Sequence, residues 1–144
     1  MGAGVGWVCA LVWLLTLSVY DIRQRRLPNW LTVPGAIAVM VFATVTGRGT
    51  AALFGAVALF AVYLVVHLFS PTAMGAGDVK LAIGIGALTG MFGVDVWALA
   101  ALGAPALTAV WAVVVMIGRA ESETVPHGPS MCAAAATATA LVLI

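Results

Sequence analysis

Charge is scarce in this chain. Six Lys and Arg and five Asp and Glu make up 8% of its 144 residues, where a soluble domain carries about a quarter. Hydrophobic residues make up 64%, which excludes an ordinary soluble globular protein. A net charge of +1 with no long basic run excludes a phosphate-tracking surface, so no nucleic-acid partner is expected. Cysteine is scarce as well. Cys9 and Cys132 have neither the paired spacing of a zinc site nor the number of a disulfide framework. They fall at depths too different for the roughly 7 Å Cα separation of a disulfide, so both are expected to be free. Lys and Arg are missing ahead of the first apolar run, Met1 to Tyr20, and no clear small-residue cleavage site follows it. The signal-peptide pattern therefore fails, and the run reads as a retained first helix.

Apolar stretches run over about 4–20, 30–46, 50–70, 79–94, 96–118 and 126–144, and a bilayer-spanning helix needs roughly 20 such residues. The expected fold is all-α, a polytopic membrane helical bundle of about six transmembrane helices, with residues 1–144 forming one domain. The fourth stretch is short and carries Gly84, Gly86, Gly90 and Gly93, and the last is mostly Ala and Thr. Both suit close helix packing better than lipid contact. Trp7, Trp30 and Trp97 fall near span ends as interface anchors, while Trp13 and Trp111 lie deeper.

Polar residues gather in three segments, Asp21 to Asn29, Pro71 to Lys80 and Arg119 to Ser130, after spans one, three and five. By parity all three lie on one side of the membrane. They hold Arg23, Arg25, Arg26, Lys80 and Arg119 against Arg48 alone on the other side. The positive-inside rule then puts the three loops in the cytoplasm and both termini outside.

An ionisable residue near membrane depth is costly and marks function by default. Asp21 and Asp78 end at similar depth on the same side, with two complete crossings between them. Asp95 lies at the opposite face, roughly 25 Å away at about 1.5 Å of helix rise per residue. Glu121 and Glu123 sit among Ser122 and Thr124, where solvation explains them. Two carboxylates brought together cannot both ionise easily and share one proton, which is the working condition of an aspartyl protease. A blander reading pairs Asp21 with Arg25 at i,i+4 and lets Asp78 cap the fourth span. Gly75 and Gly77 tilt the balance, because glycine lets the backbone leave helical geometry and admits a close substrate strand. With Pro71 they also suggest a mobile third loop. Neither Gly-Ala-Gly-Asp nor Gly84-Ile85-Gly86 completes a nucleotide-binding loop.

Together, Asp21 in D-I-R-Q-R-R-L-P-N, Asp78 in M-G-A-G-D-V-K-L and the stretch P-H-G-P at Pro126 to Pro129 resemble the ordered motifs of the type IV prepilin peptidases, the A24 family of GxGD aspartic proteases. The resemblance covers nearly the whole chain. It implies a single transmembrane peptidase domain and an aspartic-type endopeptidase that cleaves prepilin or pseudopilin-like substrates at the cytoplasmic face, after a Gly between a basic leader and an apolar helix. Asp21 and Asp78 match its catalytic pair. Many bacterial relatives also carry an N-terminal methyltransferase domain with paired Cys-x-x-Cys. This chain has about 20 residues before Asp21, so a peptidase-only short form is expected, with His127 where many relatives have an aromatic residue.

Around the pair, Asp78 at a helix N-terminus is expected to be the base and Asp21, at a C-terminal end, the acid. Arg23, Arg25 and Arg26 set topology and are candidates to meet substrate or anionic lipid. Lys80 points away from Asp78 on a helix and is expected to snorkel to the interface. Pro28 and Asn29 shape the start of span two. His67 packs late in span three, and neither it nor His127 has a metal-ligand partner at sensible spacing. No metal or cofactor is expected; the partners are the substrate proteins and the lipid bilayer. Two other classes stay open: a small proton- or cation-coupled transporter binding its ion at the two aspartates, and a non-enzymatic assembly subunit docking through its Gly and Ala faces.

Overall fold

A computed structural model describes residues 2–72, 74–118 and 125–144. Six helices run along the described chain: α1 (Gly2–Gln24), α2 (Asn29–Val45), α3 (Gly49–Phe69), α4 (Ala76–Gly90), α5 (Val94–Ile117) and α6 (Gly128–Leu143). The chain is an all-helical membrane bundle. α1, α3 and α5 are long and apolar enough to cross a bilayer, and α2 and α6 are shorter apolar helices. Arg119, Glu121 and Glu123 lie outside the described residues.

α4 is the hub. Val79, Leu81, Ala82 and every residue from Gly84 to Gly90 are buried, the pattern of a helix apolar on all sides and enclosed by neighbours. Lipid tails are as apolar as leucine, so membrane helices associate by close packing and not by escaping water. The glycines supply that closeness. A Cβ on Gly86 would overlap the Gly55 carbonyl oxygen of α3, and one on Gly90 would meet the Gly55 Cα at 2.9 Å. α3 and α4 therefore touch backbone to backbone, and this is the most extensive helix pairing in the fold. α6 packs on α5 and α1 through Ala134, Ala135 and Ala138, all buried.

Indole N–H groups tie helices whose backbones stand further apart. Trp13 donates to the Leu31 carbonyl at 2.9 Å, Trp97 to the Gly55 carbonyl at 3.0 Å and Trp7 to the Thr139 hydroxyl at 3.3 Å. Trp7 and Trp97, read from sequence as interface anchors, are thus helix-to-helix ties. Trp30 remains exposed and meets Tyr20 edge to face. At the end away from the aspartates, Gly47 (φ 76°) and Gly93 (φ 122°) turn the chain in the left-handed region that only glycine enters cheaply. Arg48 there lies over the Phe92 ring, 5.6 Å from its centroid.

Candidate active site

α1 buries Leu14 and Leu17, and Asp21 falls on the same stripe at steps of three and four residues. The helix runs past Asp21 to Gln24, further than the apolar run alone suggests. The acid is therefore carried inward on the core-facing side of the last turn, where only 8% of its surface remains exposed. Arg25 then takes a left-handed conformation (φ 53°) that ends the helix, a strain of roughly 1 kcal/mol or more for a residue with a Cβ. The chain turns there into the α1–α2 connection. Arg25 lies close enough to act on the charge of Asp21.

α4 begins at Ala76, and Gly75 caps it with extended backbone (φ −73°, ψ 151°). Asp78 is half-buried in the first turn, where the nearby Gly75 backbone favours its charged form. Asp78 stands at the third position of α4, where its charge complements the helix N-terminus. Gly75 does not adopt a conformation reserved for glycine, and Gly77 is an ordinary helical residue. A Cβ on either would make only ordinary contacts, at 3.7 Å with Asp78 Oδ2 and 3.4 Å with Leu27. Their effect is to leave the wall beside Asp78 free of side chains.

Both carboxylates face one cavity of about 630 Å³, walled by the α1–α2 connection from Gln24 to Asn29 and by α4 from Gly75 to Asp78, with Lys80. They lie within electrostatic reach of each other. Lys80 is exposed, and its Nζ donates to Asn29 Oδ1 at 3.1 Å, which ties α4 to the start of α2 across the cavity. Arg23 is exposed and absent from the walls, whereas Arg25 and Arg26 are part of them. Two residues on from Asp21 is more than half a turn of helix, which turns Arg23 to the opposite side. His67 Nδ1 is hydrogen-bonded to the Met74 carbonyl at 2.6 Å and closes the α3–α4 connection.

Sequence reasoning missed Gly128. The start of α6 comes against α1, and the Gly128 N–H donates to Asp21 Oδ2 at 3.1 Å. A Cβ at this position would fall on the carboxylate. Gly-Pro opening a helix was the available signal, because the first turn presents N–H groups with no partner inside the helix. This contact removes the premise for ranking the two acids by helix dipole. Asp21 ends its own helix but also faces the N-terminus of α6, so each aspartate has a helix N-terminus that favours its anion.

Cys9 is exposed, Cys132 is buried in α6, and both are free. Among the described residues, no three His, Cys, Asp or Glu side chains cluster as metal ligands would. A second cavity of about 590 Å³ lies at the opposite end, between the outer halves of α1 and α2, with apolar walls that include Trp7, Trp13 and Phe42 and no acid. It has no group that could activate water.

No curated protein and no solved structure gives a significant match to the chain. The family model of the type IV leader peptidases matches residues 8–144, which takes in α1 from residue 8 onward, the Asp78 turn and the whole of α6. On this match the chain belongs to the type IV leader peptidase family, and its general activity is that of a prepilin leader peptidase.

Proposed function

We propose that the chain is an aspartic endopeptidase that removes the leader of prepilin-like proteins with Asp21 and Asp78 as its catalytic pair. The observation that carries this reading is the convergence of two acids from separate helices on one cavity, each at the N-terminus of a helix, in a member of a leader peptidase family. With one proton between them, the ionised carboxylate draws a proton from a water that attacks the amide carbonyl. Its protonated partner donates to the carbonyl oxygen. The reaction needs no covalent intermediate. Because each acid faces a helix N-terminus, the proton belongs to the pair and no fixed acid or base is assigned.

Gly75 and Gly77 leave the wall beside Asp78 open to an extended substrate strand, and the Lys80–Asn29 bond sets its width. Arg25, Arg26 and Lys80 are cations at the cavity, and Arg23 is close by on the outer side of α1. Among the described residues, Lys and Arg thus gather at the dyad end, against Arg48 at the other. The positive-inside rule orients the cavity to the cytoplasm and both termini outward, in the cytoplasmic membrane. The peptidase domain is taken to be residues 1–144 as a whole.

The test is co-expression with a prepilin-like protein bearing a basic leader, a Gly at the junction and an apolar helix, with loss of the leader read by gel shift. Asp21→Asn and Asp78→Asn should each cut cleavage by about 10²- to 10⁴-fold at normal membrane abundance. Cleavage retained in either variant removes that residue from the chemistry. Retained cleavage in both, or ion-dependent flux without cleavage, would favour the transporter or assembly readings.

A further inference from the structure

The His-Gly pair of the third motif has a geometry that the dyad alone does not require. His127 is partly buried just before α6, and each of its ring nitrogens is engaged by a different helix. Nε2 is 2.9 Å from the Tyr63 hydroxyl of α3, and Nδ1 is 2.6 Å from the Thr108 hydroxyl of α5. The Thr108 hydroxyl also reaches the Ala104 carbonyl at 3.1 Å. One arrangement satisfies every group: Tyr63 donates to Nε2, Nδ1–H donates to Thr108, and Thr108 donates to Ala104, with the ring neutral. Burial pushes the His127 pKa down and keeps the ring in that form. The next peptide N–H is the one that donates to Asp21 Oδ2. Its direction depends on backbone torsions on either side of that peptide, so a ring pinned to two other helices fixes the peptide plane. On the far side, Tyr63 lies near enough to Asp78 to feel its charge.

We infer that His127 is a positioning residue. Held between Tyr63 and Thr108, it aims the Gly128 N–H at Asp21 and thereby fixes that carboxylate in the cavity, without itself touching substrate. The inference rests on Asp21 and Asp78 being the catalytic pair. A Cβ at 128 has no room, so this backbone approach requires glycine there.

His127–Gly128 is the only His-Gly pair in the sequence. Full-length protein labelled with ¹³C-carbonyl His and ¹⁵N-Gly, in nanodiscs, therefore gives one carbonyl-to-amide correlation, which belongs to the Gly128 amide. Asp21→Asn should move this resonance, since it removes a charged acceptor. His127→Phe, which keeps the bulk but breaks the chain of hydrogen bonds, should also move it. His127→Phe should lower kcat for cleavage of the prepilin-like substrate by about 10- to 100-fold, the cost of a small misplacement, while KM stays near wild type. Tyr63→Phe and Thr108→Val each release one grip and should act in the same direction. His127→Gln, which keeps a donor and an acceptor, should restore much of the rate.

A resonance unmoved in Asp21→Asn or in His127→Phe overturns the inference, as does a shift in His127→Phe with kcat unchanged. Loss of rate with an unmoved resonance overturns it too, because the effect then reaches the chemistry by another route. Failure of the dyad reading is recognised separately, by normal cleavage in Asp78→Asn.

Discussion

Asp21 gains its backbone donor from a residue 107 positions away, and glycine is the only side chain that fits there. Gly128→Ala would drive a methyl group into the carboxylate and displace one of the two. Cleavage should fall by about as much as in Asp21→Asn, at least roughly 10²-fold, with the protein still present in the membrane. Near-normal cleavage by Gly128→Ala would show that Asp21 does not depend on this contact. His127 makes a second residue-scale prediction, of stability. Its pKa is held below the usual 6.5 by burial, so the unfolded chain takes up a proton at a higher pH than the folded one. Stability is then highest above about 6.5 and is lost as pH falls from there through the folded value. Thermal unfolding in detergent should show a larger fall in Tm from pH 7 to pH 5 for wild type than for His127→Phe, where this group is missing. Equal falls would mean that His127 is as easily protonated in the bundle as in the unfolded chain.

At the scale of the helix, the glycines divide into those that hold the bundle together and those that do not. Gly86 meets the Gly55 carbonyl and the Ala56 Cα, both backbone atoms that cannot swing aside. Gly86→Leu should therefore wedge α3 from α4 at a cost of at least about 1–3 kcal/mol, read as a fall in Tm and in membrane abundance. Gly4 in α1 has nothing within 4 Å of its Cβ position. Gly4→Ala should be neutral or stabilising by up to about 1 kcal/mol, because alanine loses less entropy in a helix. Similar Tm changes for the two substitutions would sink this distinction. Gly86 was legible in the sequence, because a glycine-rich apolar stretch has few other uses in a membrane bundle. So were the six helices, from apolar runs and their spacing, and the convergence of Asp21 and Asp78 at one end, from the parity of crossings. The contact of Gly128 with Asp21, the bond from Lys80 to Asn29 and the turning away of Arg23 were not. They depend on how far each helix runs and how it is rotated, which apolar runs alone do not specify. The indole bonds of Trp7 and Trp97 were hidden for the same reason, since aromatic residues near span ends serve equally as anchors or as ties.

Across the whole molecule, charge divides between the two ends. Among the described residues, the end with Asp21 and Asp78 has Arg23, Arg25, Arg26 and Lys80, and the other end has Arg48 over the Phe92 ring. Each Lys or Arg left on the wrong side opposes insertion, so this asymmetry should fix one orientation with the dyad toward the cytoplasm. Gln24 and Val94 are exposed at opposite ends of the bundle, and each accepts a cysteine without disturbing a hydrogen-bonded side chain described above. In a Cys9→Ser, Cys132→Ala background, Val94→Cys should react with a membrane-impermeant maleimide in intact cells. Gln24→Cys should react only in inverted vesicles. The same experiment tests the chemistry, because a leader that stays in the cytoplasm can be cut only by acids facing the cytoplasm. The reverse labelling pattern would place Asp21 and Asp78 on the wrong side for that substrate, and the dyad could then not perform leader cleavage whatever its geometry. Reversing the asymmetry, with Arg23, Arg25 and Arg26 changed to Gln and Lys or Arg added beside Arg48, should invert or mix the labelling. Cleavage should fall in proportion to the molecules that turn over, which ties the activity of the cavity to the direction in which the bundle inserts.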